Sequence, residues 1–388
     1  MHKQASYIGG TASAYAVLEA RATEADYNKA EESFAELIKA DGLDDYVRRR
    51  PLTARLFKRG LEKALATVYK VGPDRFDGYG SYTNEVGHLF LQRVLYRINR
   101  LKLFWFDDLS NYDNERSSYL QKVRDRIEGA WQAWELALLD DVAALSRENA
   151  CEALLRRAAC DVSPAPSARG LYFRHDVNEV GYRRLLAIAS LDGLVEASQL
   201  SRTLGGVSND IHSMMTRLLV EEYGGGRLNR KHSTFFTAML SELNMRTEPE
   251  AYFDLVPWEM LAAINHSFLL SERKRFYLRY VGGLLYTEIS VPAAFDNYRA
   301  AAERLIMSEA ARGYWELHIK EDKRHGQWML HDVALPLAAK YPGEAWEIVL
   351  GYDQQKFISD RAAASMELSV RAAECEAEHW ETAGQSAA

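Results

Sequence analysis

Apolar side chains recur three and four positions apart along most of this chain, while the alternating β-branched runs that build strands are scarce. That spacing commits the backbone to helices, because a 3.6-residue turn stacks positions i, i+3 and i+4 on one face. Between Ala25 and Ala40 the stripe is Tyr27, Phe34, Leu37 and Ile38, and Asp41-Gly42 reads as its end. Similar stripes run over Leu52 to Lys70, Thr83 to Phe106 and Ser117 to Leu145. Beyond them come Gly181 to Leu204, Asp210 to Tyr223, Thr234 to Leu243, Pro257 to Ser267, Ser271 to Ile289, Pro292 to Ala311 and Gly313 to Leu335. Pro257 and Pro292 suit a first helical turn, and Pro336 suits a stop. The expected fold class is all-α.

Asp161 to Gly170 (DVSPAPSARG) has two prolines and almost nothing to bury, so it reads as a linker. With 388 residues to divide, the expected organisation is a helical region over 1–160, the linker at 161–170, a second helical domain over 171–376 and a frayed tail over 377–388. No internal repeat of fixed period is visible. At 47% hydrophobic and 27% charged residues, global disorder is excluded. The net charge of -7 leaves no basic face for nucleic acid, and Arg48-Arg49-Arg50 before Pro51 reads as a solvated helix end. Neither a membrane-spanning run nor a signal-peptide core is seen, so a membrane partner is not expected. Three cysteines, Cys151, Cys160 and Cys375, fit a reducing, cytoplasmic setting.

The run HIKEDKRH carries the chemistry. His318, Asp322 and His325 stand at i, i+4 and i+7, which places them within roughly 60° of one another on one helical face. Two imidazoles and a carboxylate suit a redox-active transition metal. Lys320, Glu321, Lys323 and Arg324 around them also permit a merely solvated stripe, although Tyr314, Leu317, Trp328 and Met329 require part of this helix to face the core. One helix cannot enclose a metal, so further ligands must come from elsewhere. Glu288 sits beside Leu284, Leu285 and Tyr286, where a carboxylate is costly to bury unless it is paired or metal-bound. Gly282-Gly283 lets another backbone approach there. Glu222 ends an apolar helix, and Gly224-Gly225-Gly226 permits a kink that returns His232 toward it. Glu196, among the apolar residues of LLAIASLDGLVEAS, is another candidate.

The order of these residues, Glu196, Glu222 with His232, Glu288, then His318, Asp322 and His325, resembles the haem-oxygenase-like diiron oxidases, or iron-containing redox enzymes. The resemblance spans roughly Gly170 to Ala373. It implies a haem-oxygenase-like helical bundle, preceded by a helical region that serves dimerisation, and a likeness to the streptozotocin-type and aminoimidazole N-oxygenases. It also implies two iron ions held by those seven side chains, O2 as cosubstrate and an external reductase or ferredoxin-type electron donor. Streptozotocin-type enzymes carry a C-terminal cupin; about sixty residues follow His325 here, so a stand-alone N-oxygenase without a cupin is expected. Charge arithmetic agrees with the set: four carboxylates neutralise two ferrous ions, and three neutral imidazoles can complete the shell with positions left for O2 and substrate.

Rival arrangements are weaker. Glu259 and His266 are seven apart, yet Glu259 behind Pro257 also suits a helix N-terminus. Glu85 and His88 form an E-x2-H of the ferritin-like type, but only once where that fold needs two. His175-Asp176 and His331-Asp332 read as surface or capping pairs. No G-x-S-x-G supports a hydrolase, and no cysteine lies between 161 and 374 to serve as a thiaminase-type nucleophile. No G-x-G-x-x-G supplies a flavin or nicotinamide site. The expected activity is oxygenation of the nitrogen of a small amine, guanidine or amino-heterocycle in natural-product biosynthesis. Oxidative decarboxylation or C–C cleavage of an amino or fatty acid is the alternative, and a metal-free interaction protein the third reading. Arg169, Tyr172, Arg174 and Tyr286 are the candidate substrate contacts, and the chain is expected to be a homodimer.

Overall fold

The computed structural model describes residues 24, 26–69, 82–139 and 142–386. Helices are the regular elements among these residues, with no strand, as the spacing of apolar residues predicts. The chain divides between Leu138 and Leu139 into two compact units.

The first unit contains α1 (26–37), α2 (Leu43–Arg49), α3 (Arg55–Thr67), α4 (Tyr82–Arg100) and α5 (Ser118–Leu138). The predicted stripes face inward: Tyr27, Phe34, Phe57, Leu61, Phe90, Val94, Ile127 and Trp131 are buried. Each contributes about 1.5–3 kcal/mol of transfer free energy. Asp44 caps α5 by accepting from the Ser118 and Tyr119 amides at 2.9 and 2.8 Å. Trp131 and Trp134 pack within the unit, whereas Phe106 is exposed. The stretch from Lys70 to Ser81 lies outside the described residues.

The second unit holds α6 (Val142–Leu145), α7 (Ala150–Asp161), α8 (Ala168–His175), α9 (Glu179–Gly193), α10 (Asp210–Glu222) and α11 (His232–Glu242). It continues with α12 (Trp258–Glu272), α13 (Tyr277–Arg304), α14 (Glu309–Trp328), a π-helical turn at Met329–Ala334, α15 (Leu335–Lys340) and α16 (Trp346–Ser386). Helix α13 is the axis: α14, α16, α8 and α12 all pack on it. At Gly282 and Gly351 its contact with α16 is so close that an added Cβ would fall 1.9 Å from the Ile348 carbonyl or 2.0 Å from that of Arg279. Glycine is therefore required there by space, as anticipated for Gly282.

Four boundaries differ from the sequence reading. The division between units precedes α7 rather than falling at 161–170, because α7 docks within the second unit: Arg157 forks onto Asp353 at 2.6 and 2.8 Å, and Tyr352 donates to Asp161. Residues 162–167 are nonetheless a non-helical joint between α7 and α8. Pro292 does not start a helix but lies inside α13, buried, where its missing N–H leaves the Glu288 carbonyl without a helical donor. Pro336 does not stop the chain either. The wide π turn just before it relaxes the ladder its ring would otherwise break, and α15 follows. Helix α16 runs on to Ser386, into the segment expected to fray.

Candidate metal centre

The seven predicted residues come together between α9, α10, α11, α13 and α14. Glu222 is the last residue of α10 and His232 the first of α11. The two are joined by short turns in which Gly224, Gly225 and Gly226 all take positive φ. A Cβ on Gly224 would lie 2.4 Å from the backbone of Arg230, so the glycine break is what folds His232 back onto Glu222. Helix α14 presents His318, Asp322 and His325 on its buried face, and Glu288 meets them from α13. Gly326 lets those two helices close, with a Cβ there only 3.3 Å from the Glu288 carbonyl. Glu196 is reached differently from the expectation. Helix α9 ends at Gly193, and Glu196 lies in the turn that follows, next to Ala197 at φ 61°.

The side chains form two clusters with one residue in common. In the first, His232 Nδ1 lies 2.8 Å from one oxygen of Glu222 and 3.2 Å from His318 Nε2, which is 2.9 Å from Glu196. In the second, His325 Nδ1 faces the other Glu222 oxygen at 3.3 Å, Glu288 at 3.5 Å and Asp322 at 3.6 Å. Ligand atoms of Glu196, Glu222, His232 and His318, and separately of Glu222, Glu288 and His325, lie within 4.8 Å of one another. Glu222 is thus placed to serve both clusters, one oxygen each.

Hydrogen bonds fix the ring tautomers. The Tyr314 carbonyl, which can only accept, is 2.8 Å from His318 Nδ1, so that nitrogen carries a proton and Nε2 is the ring atom left to ligate once its own proton is lost. Likewise Glu221 is 3.1 Å from His325 Nε2 and leaves Nδ1 for the cluster. The Tyr314 hydroxyl donates to Glu196 at 2.9 Å. Three buried atoms in this region have no hydrogen-bond partner: Glu196 Oε2, Asp322 Oδ1 and His325 Nδ1. Carboxylate oxygens converging in a dry site repel unless protonated imidazoles or a metal cation sit among them.

Ionisation follows the same logic. Burial opposes charge on His318, but the facing Glu196 carboxylate outweighs it and pushes the imidazole up to about 10. His325 is pushed up to about 11 against its burial by the Glu222 and Glu288 carboxylates that face it. Burial raises Glu288 and Asp322, each also within reach of the Glu222 charge. Glu222 is buried too, yet the flanking His232 and His325 draw it well below the usual carboxylate range. The donor set of four carboxylates and three imidazoles, with orphaned atoms aimed inward, fits two divalent first-row metals.

An internal cavity of about 400 Å³ opens onto the cluster, which supplies Glu196, Glu222, Glu288, His318 and Asp322 to its wall. The rest is largely apolar, with Phe236, Met260, Ile264, Phe295, Trp315 and Met366 among the lining. A surface groove of about 430 Å³ around Thr203, Lys274 and Lys340 includes none of the seven.

The rivals fall where other chemistry uses them. Ser365 donates to Glu259, and His266 is fully buried and held neutral, down to about 3, by burial and by Arg279 and Arg361. His88 packs against Tyr69 and Trp134 in the first unit while Glu85 is exposed. His175, Asp176, His331 and Asp332 are exposed. The four candidate substrate contacts do not line the cavity. Arg169 pairs with Glu367, Tyr172 donates to Glu374, Arg174 meets Asp296, and Tyr286 meets Tyr352 edge to face. Glu221, Tyr314 and Asp192, by contrast, reach the site without any sequence signal. A cluster of Glu221, Glu321 and His325 just outside is neutralised by Arg324, which contacts both acids.

Comparison with known proteins agrees with this geometry. Residues 183–354 match the family model described as "Iron-containing redox enzyme". Over 168 residues, 43% of this chain, it is 26% identical to "Nitrosourea synthase" of Streptomyces achromogenes subsp. streptozoticus, and the match spans 36% of that protein's length. No helix among the described residues is long and apolar enough to cross a membrane.

Proposed function

We propose that this chain is an iron-containing redox enzyme, an O2-dependent diiron N-oxygenase acting on a small amine, guanidine or amino-heterocycle. Glu196, His232 and His318 would hold one iron, Glu288, Asp322 and His325 the other, and Glu222 both. The observation that carries this is the placement of the two Glu222 oxygens against two different histidines, 2.8 and 3.3 Å away. When bound, two ferrous ions supply O2 reduction and delivery of one oxygen atom. Each oxygen inserted consumes one O2 with two electrons and two protons from an external donor, and the second oxygen leaves as water.

The chain's own part is arrangement. Tyr314 and Glu221 hold two imidazoles in the tautomer that presents a lone pair. The apolar walls, Phe295 and Trp315 among them, exclude water and pin the substrate beside the cluster. The match to a nitrosourea synthase supports nitrogen as the atom oxidised. The test loads the full chain with Fe(II) under nitrogen, then adds O2, a reductant and a panel of amines that includes 2-aminoimidazole. Mass gains of oxygen on nitrogen are expected. Loss of carbon dioxide or release of an alkene, with no oxygenated amine from any member of the panel, would replace N-oxygenation by C–H abstraction.

A further inference from the structure

The cavity contains one acid that the seven-residue cluster does not use. Asp192, one turn before Glu196 at the end of α9, belongs to the lining. It is exposed, yet protein surrounds it densely enough that burial, reinforced by the Glu196 charge, pushes its carboxyl up to about 6. The residue itself forms part of the cavity wall. No described residue gives its carboxylate a hydrogen bond or a cation. No lysine or arginine lines the cavity, and its one histidine, His318, belongs to the cluster. The hydroxyls of Tyr280 and Tyr314, held neutral by burial, stand close enough to feel the Asp192 charge.

Charge balance then identifies the missing partner. Glu196, Glu222, Glu288 and Asp322 together cancel two divalent ions, so Asp192 leaves the enclosed space one negative charge in excess. An uncompensated charge on the cavity wall is disfavoured, and a positively charged ligand head offsets it. A carboxylate-bearing ligand would double it.

We propose that Asp192 anchors the cationic head of the substrate, an ammonium, amidinium or guanidinium, with the apolar walls covering the remainder. This rests on the reading of the cluster as the reaction centre, since only then does an anchor one turn from Glu196 set which nitrogen faces it. Small cations therefore enter and alkanoates are refused.

Calorimetric titration of the Fe(II)-loaded full chain under nitrogen separates this from catalysis. The probes are 2-aminoimidazole, agmatine, hexylamine and hexanoate. At least one cation is expected to bind and hexanoate is not. In Asp192→Asn the affinity for that cation falls on the order of 30-fold or more, while iron content stays at the wild-type value. Asp192→Glu, which keeps the charge, recovers part of the affinity. Unchanged cation affinity in Asp192→Asn, binding of hexanoate as tight as that of the cations, or loss of iron in the variant would each overturn the anchor. Cation binding that vanishes in Asp192→Asn, from an enzyme that yields no oxygenated product, would uphold the anchor and defeat N-oxygenation instead.

Discussion

The two units bury acids in opposite ways. In the first, each buried acid among the described residues has a partner within the same unit. Glu31 lies between Arg93 and Arg97 at 3.3 and 2.9 Å, Glu128 meets Arg124 at 2.7 Å, and the Trp131 indole donates to Glu135 at 2.8 Å. In the second, Glu222, Glu288 and Asp322 converge with imidazoles and no arginine or lysine among them. The second unit is able to do otherwise, since its own Glu347 sits against Arg279 at 2.6 Å. Acids closed off by arginine are complete as folded. Acids grouped around histidine lone pairs expect a cation from outside.

The sharpest way to break that contrast is to remove one imidazole. His318→Ala is expected to lower metal affinity by well over about a hundredfold, more than loss of an outer partner costs, and to abolish turnover. Anaerobic Fe(II) titration should read about two equivalents per chain for the wild type and at most one for the variant. Two tightly held irons in His318→Ala would show that the cluster is not the centre.

Acidity gives a smaller, graded effect. In the metal-free chain His318 and His325 are pushed up to about 10 and 11, so both are protonated at neutral pH, and each must shed a proton to ligate. Glu288 and Asp322, raised by burial, add to the release. Metal affinity should therefore rise with pH by about tenfold per unit for each proton released, and calorimetry in buffers of different ionisation enthalpy would count the protons. The sign reverses for the metal-free fold. Histidines whose pKa is raised on folding stabilise it fully below their unfolded value near 6.5, and that contribution fades as pH climbs through 10 to 11. Alkaline melting should thus weaken the metal-free chain while metal offsets the loss. Affinity independent of pH would mean that the imidazoles are neutral beforehand.

What the sequence discloses follows from how locally each feature is encoded. The H-x3-D-x2-H face is a matter of helical period, and Glu288 and Glu222 show themselves as acids on apolar helices, so these were legible together with the all-α class. The glycine break before His232 was legible as a kink because positive φ has few other causes. Glu196 was identified by type, but its place in a turn depends on α9 ending at Gly193, against which Phe236 packs with no room for a Cβ. Asp192, Glu221 and Tyr314 were invisible because their roles exist only through space. Arg169, Tyr172, Arg174 and Tyr286 failed for the mirror reason: nearness along the chain carried them onto acids and rings of other helices. Pro292 and Pro336 misled because propensity sees a ring without the buried packing or the π turn that accommodates it.

The contrast can also be tested from the side that should leave the metal untouched. Glu128→Ala removes the carboxylate 2.7 Å from the buried Arg124 guanidinium in α5 and is expected to cost up to about 3–5 kcal/mol, because breaking a buried ion pair leaves the surviving charge less well compensated. Hydrogen exchange at α5 amides should accelerate accordingly. Iron content should not change, since none of the candidate metal clusters among the described residues includes Glu128 or any other residue of its unit. Replacing both partners, Arg124→Met with Glu128→Leu, removes charge and counter-charge together and should restore much of the lost stability. No such repair is open to the second unit. Exchanging Glu222 and Glu288 for leucine would leave three histidines with only Glu196 and Asp322 beside them, and it would trade metal affinity for apolar packing. If Glu128→Ala depleted iron as His318→Ala does, the two sets of acids would have to be treated as one system.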